Sequence, residues 1–330
     1  MRPVGLAFLG TGAWARTTAL AVGRASNVRL VSCYSRDEER CAAFAAEHGC
    51  VAAASLEAAL EHPDVEAVLL LTPNDTHLEL ALAAAEVQRH VLVEKPIADT
   101  VDAADQMREA FEAAGLELAV GHALRRLGAA RRVKDLVDDG VLGTVVLAEA
   151  NFSLPGALTP DAWRWYRDRN RGGVLLQLGI HFADTFAYWL GPIASSSGVF
   201  SRVVADAEID DVGVLALRFE SGGAGTITGS YVSPRTYTAR LLGTEGVLTY
   251  ETDFRVWPRA HEVDVATTLR LRTADGAREI AFERRDPLVE QLDEFARAVR
   301  GHARFETGAA EGIAALRVIE AALPAEAARR

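Results

Sequence analysis

The chain has 330 residues, 49% hydrophobic and 25% charged, with a formal net charge of −11 and an isoelectric point near 5.3. Such a length supports two domains, each with its own core, in an ordinary globular balance of residues. The acidic surface excludes a non-specific nucleic-acid binder, and no window offers the roughly 18 consecutive apolar residues of a membrane span.

"VGLAFLG" near the N-terminus meets glycines at once and predicts a strand, not a secretion signal. The alanine-rich stretch after it predicts a helix. "VRLVSCYS" is a second strand, followed by the helix "RDEERCAAFAAEHG" with Gly49 as its stop. "AVLLLTP" and "HVLVEKP" are further strands, with the helix "THLELALAAAEVQ" between them, and "LELAVGH" closes the series. Near-continuous apolar strands alternating with helices imply a parallel sheet covered on both faces. Cys33, Cys41 and Cys50 lack metal-ligand or C-x-x-C spacing and read as packing residues in a reducing cytoplasm.

After about residue 122 the pattern changes. The helix "LGAARRVKDLVDD" and the strand "TVVLAEANFS" lead to an aromatic, basic loop, "WRWYRDRNR", and then to "GGVLLQLGIHFAD". From about 198 to 285, strand-like runs alternate with the tight turn signals "ESGGAG", "GTEG" and "TADGAR". They describe a largely antiparallel sheet, and the last segments, "LVEQLDEFARAVRG" and "GAAEGIAALRVIEAAL", return to helix. The fold class is an α/β domain over 1–122 and an α+β domain with a large, mainly antiparallel open sheet over 123–330.

"GTGAWA" directly follows the first strand and opens a helix, the setting of a dinucleotide fingerprint. Gly10 permits the tight turn, Gly12 lets a pyrophosphate approach the backbone, and Ala15 allows close helix–strand packing. Thr11, Ala13 and Trp14 complete the loop. An NAD site usually carries a carboxylate about 20 residues on, at the end of the second strand. Ser35 and Arg36 stand there instead. Arg36 either pairs with a 2′-phosphate, which favours NADP over NAD, or stays in solvent at a helix start.

"TPNDTH" puts Thr72, Pro73 and Asn74 at a strand's carboxyl end, where open α/β sheets bind ligands. Asp75 or Thr76 caps the next helix, and His77 either faces the cofactor or packs. "VEKP" places Glu94 and Lys95 at the end of the following strand. A lysine there can stabilise a developing alkoxide. In "GGVLLQLGIHFAD", Gln177 and His181 lie one helical turn apart, with Asp184 a turn further on.

Taken together, "GTGAWA", "TPNDTH", "EKP", "GHALRR", "GVLGTV", "GGVLLQLGIHFAD" and "EQLDEFARAVR" fall in the order and spacing of the Gfo/Idh/MocA oxidoreductases, which the chain resembles over nearly its whole length. The resemblance implies a Rossmann domain and a C-terminal sheet domain that forms subunit contacts, giving a homodimer or homotetramer. It also implies that the last helices pack near the cofactor domain. The family's EKP lysine falls on Lys95. Its D-x-G-x-H segment falls on Gln177, Gly179 and His181, the histidine being the acid/base. Glutamine in place of aspartate cannot titrate but can position a hydroxyl. Val87 and Gln88 replace the family's usual Gly-Lys.

Asp184, Arg125, Trp163 and Tyr166 are candidate substrate contacts, while His122 and Arg126 border the same segment. Ion pairing of Arg125 and an anchored loop around Trp163 are the competing assignments. The expected activity is a cytoplasmic NADP- or NAD-dependent dehydrogenase or reductase for a sugar, cyclitol or polyol, with no metal. A cofactor-binding regulator without turnover, and a glycoside-cleaving enzyme that recycles its cofactor, remain open alternatives.

Overall fold

The computed structural model describes residues 2–156 and 158–324. The chain forms two compact units. Among the described residues, one holds the chain up to Ala123 together with Leu288–Ile313, and the other holds Leu124–Pro287 and the chain after Ile313.

The first unit alternates strand and helix: β1 (Val4–Leu9), α1 (Ala13–Val22), β2 (Val28–Tyr34), α2 (Glu38–His48), β3 (Val51–Ala52) and α3 (Leu56–Leu60). It continues with β4 (Ala67–Leu70), α4 (His77–Glu86), β5 (His90–Val93), α5 (Val101–Ala114) and β6 (Leu118–Val120). The strands are parallel and lie in the order β3-β2-β1-β4-β5-β6. The order reverses beside β1, so the carboxyl ends of β1 and β4 flank the crevice where such sheets take a ligand. β1 and β4 are buried along their whole length, which is why both read as unbroken apolar runs. Helix α2 stops as expected: Gly49 caps it at φ 68°, a left-handed conformation that costs glycine least.

The second unit begins with a 3₁₀ turn (Ala123–Arg126), α6 (Gly128–Asp138) and β7 (Val145–Ser153). A π-helical turn (Leu175–Gly179) runs into α7 (Ile180–Leu190). Then come β8 (Ile193–Ser201), β9 (Val212–Phe219), β10 (Ala224–Ser230), β11 (Thr236–Gly243), β12 (Gly246–Thr252), β13 (Thr267–Thr273) and β14 (Gly276–Glu279). They form an eight-stranded sheet ordered β14-β13-β12-β11-β7-β10-β9-β8. Its pairs are antiparallel except β7 with β10. The expected α/β domain followed by a mainly antiparallel open sheet is therefore what the chain forms.

Along β9 burial alternates residue by residue, the mark of a sheet with one face in the core. Aromatic side chains fill that face: Tyr237 stacks on Phe182 at 4.7 Å, and Trp189 lies 6.0 Å from Tyr250. Helix α6 is capped from a distance. Asp264 accepts from Gly128 N at 2.7 Å and Ala129 N at 3.2 Å, and the missing side chain at Gly128 leaves room for Glu283 O, which a Cβ would meet at 1.6 Å. The stretch Phe254–Ala266 is helical, a departure from the run of strands expected between 198 and 285. Helices α8 (Pro287–Val299) and α9 (Ala309–Glu320) are the last regular elements among the described residues. Thr307 joins the edge of β6: Val120 N donates to Thr307 O, and Thr307 Oγ1 to Val120 O, each at 2.7 Å.

The loop after β8 hangs on one carboxylate. Asp211 is buried and accepts from Val203 N (2.9 Å), Val204 N (2.9 Å) and Ala205 N (2.7 Å). Burial opposes its charge, but the amides of Ala205, Val204 and Val203 together hold the carboxyl below the usual range. A carboxylate depressed on folding stabilises the fold above its unfolded pKa of about 3.9, and that contribution is lost as pH falls through the folded value. Asp211→Asn should cost about 2 kcal/mol near neutrality and flatten the acid limb of stability below about pH 4. Denaturant titrations across pH measure both; an unchanged acid limb would count against this role.

Candidate active site

The nucleotide loop is built by backbone geometry. Gly10 takes φ +104°, and a Cβ there would sit 2.7 Å from Leu71 O. Gly12 is the N-cap of α1, no side chain caps that helix, and a Cβ on Gly12 would meet nothing within 4 Å. A helix start that is uncapped and open presents Ala13 and its neighbours to an anion through N–H groups and the helix dipole. Ala15 is fully buried, as close helix–strand packing requires. The residues present fit a dinucleotide pyrophosphate.

At the neighbouring strand end, Thr11 Oγ1 donates to Ser35 Oγ at 3.1 Å, and Ser35 Oγ to Asp37 O at 2.9 Å. Asp37 caps α2 by accepting from Arg40 N at 2.9 Å, and the Arg40 guanidinium pairs with it at 2.8 Å. The Arg40 amide and guanidinium together hold its carboxyl below the usual range. The acid in this turn is thus engaged by Arg40, while Arg36 is exposed to solvent.

Lys95 follows β5 and precedes a cis peptide at Pro96. Beside it, Glu94 Oε1 accepts from the Trp14 indole at 2.6 Å, and Glu94 Oε2 from Lys95 N at 3.2 Å. Gly121 permits this: a Cβ there would lie 3.0 Å from Glu94 Oε1. Burial pushes the Glu94 carboxyl up, against the Lys95 charge and the Trp14 bond.

His77 is buried, with Nδ1 3.1 Å from Pro96 O and 3.2 Å from Ile97 O, and Nε2 3.1 Å from Thr72 O. It braces the loop after β4 against the loop after Lys95. Burial pushes this histidine below its usual range, while the three carbonyls pull the other way. A neutral ring donates from one nitrogen only. Thr76 does not cap α4, since its hydroxyl turns back to Thr72 Oγ1 (2.8 Å) and Pro73 O (2.7 Å). Asn74 is buried in the same turn.

In the second unit the approach to α7 is tight. Gly173 takes φ +51°, where a Cβ would meet Asp210 O at 2.6 Å. Gln177 sits in the π-helical turn, a wider turn frequent at functional positions. Its Nε2 donates to Asn170 Oδ1 at 3.2 Å, and its Oε1 accepts from Arg164 Nε at 3.4 Å. Arg164 also lies over the Trp163 ring at 4.4 Å. Tyr166 is exposed, and its hydroxyl donates to Pro160 O at 2.7 Å. Gln177 therefore organises the loop that carries both aromatic candidates.

His181 opens α7 a turn later, 9% exposed, with its ring 5.7 Å from that of Phe152. Asp184 and Arg125 are brought together: Arg125 Nε donates to Asp184 Oδ2 at 3.0 Å, and Arg125 Nη2 donates to Asp184 Oδ1. Their side chains are 2% and 7% exposed respectively, so each charge answers the other inside the unit. His122 and Arg126 are also buried. Gln177, His181 and Asp184, expected along one helical stripe, meet three different sets of neighbours, and the π-helical turn at Gln177 departs from the α-helical spacing assumed for them.

Asn170, Arg164 and Tyr188 were not singled out from the sequence. Asn170 is fully buried, and Tyr188 has Arg125 and Arg131 over its ring at 5.1 Å and 5.3 Å. The one available signal was the density of arginine around Trp163. Among the described residues no His, Cys, Asp or Glu group could hold a metal ion, and no helix is long and apolar enough to cross a membrane.

A Rossmann-ordered sheet with an open glycine loop, joined in one chain to a large mixed sheet, defines a nicotinamide-nucleotide oxidoreductase of two units. Residues 4–122 match the family model described as "Oxidoreductase family, NAD-binding Rossmann fold", and residues 130–249 match the GFO/IDH/MocA C-terminal domain. The chain is 30% identical to the 1,5-anhydro-D-fructose reductase of Ensifer adhaerens, over 97% of this chain and 96% of that one. It is 27% identical to the D-xylose 1-dehydrogenase [NADP(+)] of Haloarcula marismortui, covering 89% and 83%. Among solved structures it is similar to a putative NADPH-dependent oxidoreductase from Desulfitobacterium hafniense, with TM-score 0.94, 32% identity and coverage of 98% and 95%. The chain belongs to the GFO/IDH/MocA family and is an NAD(P)-dependent dehydrogenase or reductase acting on CH–OH groups.

Proposed function

We propose that the enzyme transfers hydride between NADP(H), in preference to NAD(H), and a secondary hydroxyl or keto group of a sugar, cyclitol or related metabolite. The observation that carries this is the bond from Trp14 to Glu94 at 2.6 Å. It ties the open start of α1 to the strand end that bears Lys95. When bound, the nicotinamide supplies or accepts the hydride.

The Lys95 ammonium donates to the reacting oxygen and stabilises negative charge developing on it. His181 takes the hydroxyl proton in oxidation and returns it in reduction, work to which an imidazole is suited. Gln177 holds Asn170 and Arg164, and through them it sets the loop of Trp163 and Tyr166 as a sugar-facing surface. A second copy of this chain is the partner we assign to the open face of the large sheet.

The NADP preference rests on Arg36, exposed where an NAD site would carry a carboxylate. Two relatives described above are named for NADP or NADPH. A screen of sugars, cyclitols and sugar acids with both coenzymes, read by nicotinamide absorbance, tests the function. Turnover with NADP well above that with NAD is expected. Arg36→Ala should raise the KM for NADP roughly 10- to 100-fold, the loss of a charged phosphate contact, and leave NAD unaffected. NAD preference in the parent protein would overturn the coenzyme assignment; coenzyme binding with no turnover on any substrate would overturn the activity.

A further inference from the structure

All three cysteines of the chain, 8 and 9 residues apart in sequence, meet at one place in the fold. Cys33 lies on β2, Cys41 on α2, and Cys50 directly before β3. Cys33 and Cys41 are buried free thiols with their sulfurs 3.6 Å apart, and each is also within hydrogen-bond distance of the other's carbonyl oxygen, at 3.7 and 3.5 Å. Ser32 pairs with Val51 and Cys33 with Ala52 across β2 and β3, which brings Cys50 alongside. Cys50 is half-buried and so offers the cluster's opening to solvent. The hydrogen bond from Cys33 holds the Cys50 thiol below its ordinary range, while Cys50 and burial push Cys33 up. A partly exposed, more acidic thiol beside a buried one is the arrangement of a reactive and a resolving cysteine.

We propose that this cluster is a peroxide-oxidisable site whose disulfide loosens the ribose end of the nucleotide site. The Cys50 thiolate attacks hydrogen peroxide; the O–O bond breaks, a proton is taken up, water leaves, and Cys50 becomes a sulfenic acid. The Cys33 sulfur then attacks that sulfur and a second water leaves, carrying the Cys33 proton. Two thiols and one peroxide thus give one disulfide and two waters. Cys41, 3.6 Å from Cys33, can next displace Cys50 by thiol–disulfide exchange, so the bond always includes Cys33.

Closing any such pair to a disulfide length of about 2.05 Å draws α2 or β3 toward β2. Ser35 and Arg36 follow Cys33 on that strand end, and Ser35 is bonded to Thr11. The coupling to coenzyme rests on the NADP assignment above; the oxidation chemistry does not.

The reduced full-length protein is treated with micromolar hydrogen peroxide, then its thiols are counted and its peptides mapped without reduction. One disulfide containing Cys33 and one remaining thiol are expected. Three intact thiols, or Cys50 overoxidised with no disulfide, would overturn the site. Cys50→Ser should resist the same dose, and rapid disulfide formation in that variant would overturn Cys50 as the attacked thiol. Because the buried position of Cys33 can make its variant unstable, Cys33→Ala is used only for trapping a Cys50 sulfenic acid with dimedone. NADPH titrated by fluorescence should bind about 5-fold or more weaker to the oxidised protein. An unchanged Kd with the disulfide mapped would overturn the coupling; absence of NADPH binding in the reduced protein would overturn the coenzyme assignment, leaving the thiol map to decide the chemistry.

Discussion

Replacing Lys95 by methionine, or His181 by asparagine, should lower kcat/KM by roughly 10²- to 10⁴-fold, the range for losing an oxyanion donor or a general acid–base. Methionine keeps the length of the lysine stem and removes only the charge. Asparagine keeps a hydrogen-bonding side chain that does not titrate. The His181 variant should also lose one limb of the pH–rate profile, which a merely structural histidine would leave in place. Both variants should keep the nucleotide loop, because Gly10 and Gly12 shape it by backbone geometry. Coenzyme titration checks that. Turnover within about threefold of the parent in both variants would remove these residues from the chemistry.

The alternation of strands and helices that reveals the first unit was legible because its strands are buried on both faces and therefore unbroken in apolar residues. The turn at Gly49 and the loop at Gly10 were legible because only glycine takes those angles cheaply. The helical stretch Phe254–Ala266 was not legible. Pro258 and a non-helical Arg259 break its period, so no helical repeat survives to be read.

Side-chain partners were the least legible feature. Trp14 reaches Glu94, and Gln177 reaches Asn170, through contacts that the topology makes and no local pattern announces. The three cysteines illustrate the same limit. Their spacing is set by the length of α2 between two strands, not by a ligand motif, so a list of spacings missed the cluster. His77 was visible as an oddity in "TPNDTH", but its direction, toward three carbonyls, required the fold.

The largest expected loss of stability comes from breaking the Arg125–Asp184 pair. Asp184→Ala takes away the carboxylate that accepts from two nitrogens of the buried Arg125 guanidinium inside the second unit. Removing one member of a buried ion pair typically costs about 3–5 kcal/mol, because the other charge stays desolvated and unanswered. Arg125→Ala should cost a similar amount through Asp184, which is buried on α7. Their charges need each other more than the fold needs either. Arg125→Met combined with Asp184→Leu should therefore recover much of the loss, since apolar replacement of a whole buried pair is often neutral. Denaturant unfolding of the two single variants and the double variant separates these terms. A single-variant cost under about 1 kcal/mol would place the pair with solvent-screened surface bridges. A double variant that keeps its stability but loses turnover would show that Arg125 or Asp184 also serves the substrate.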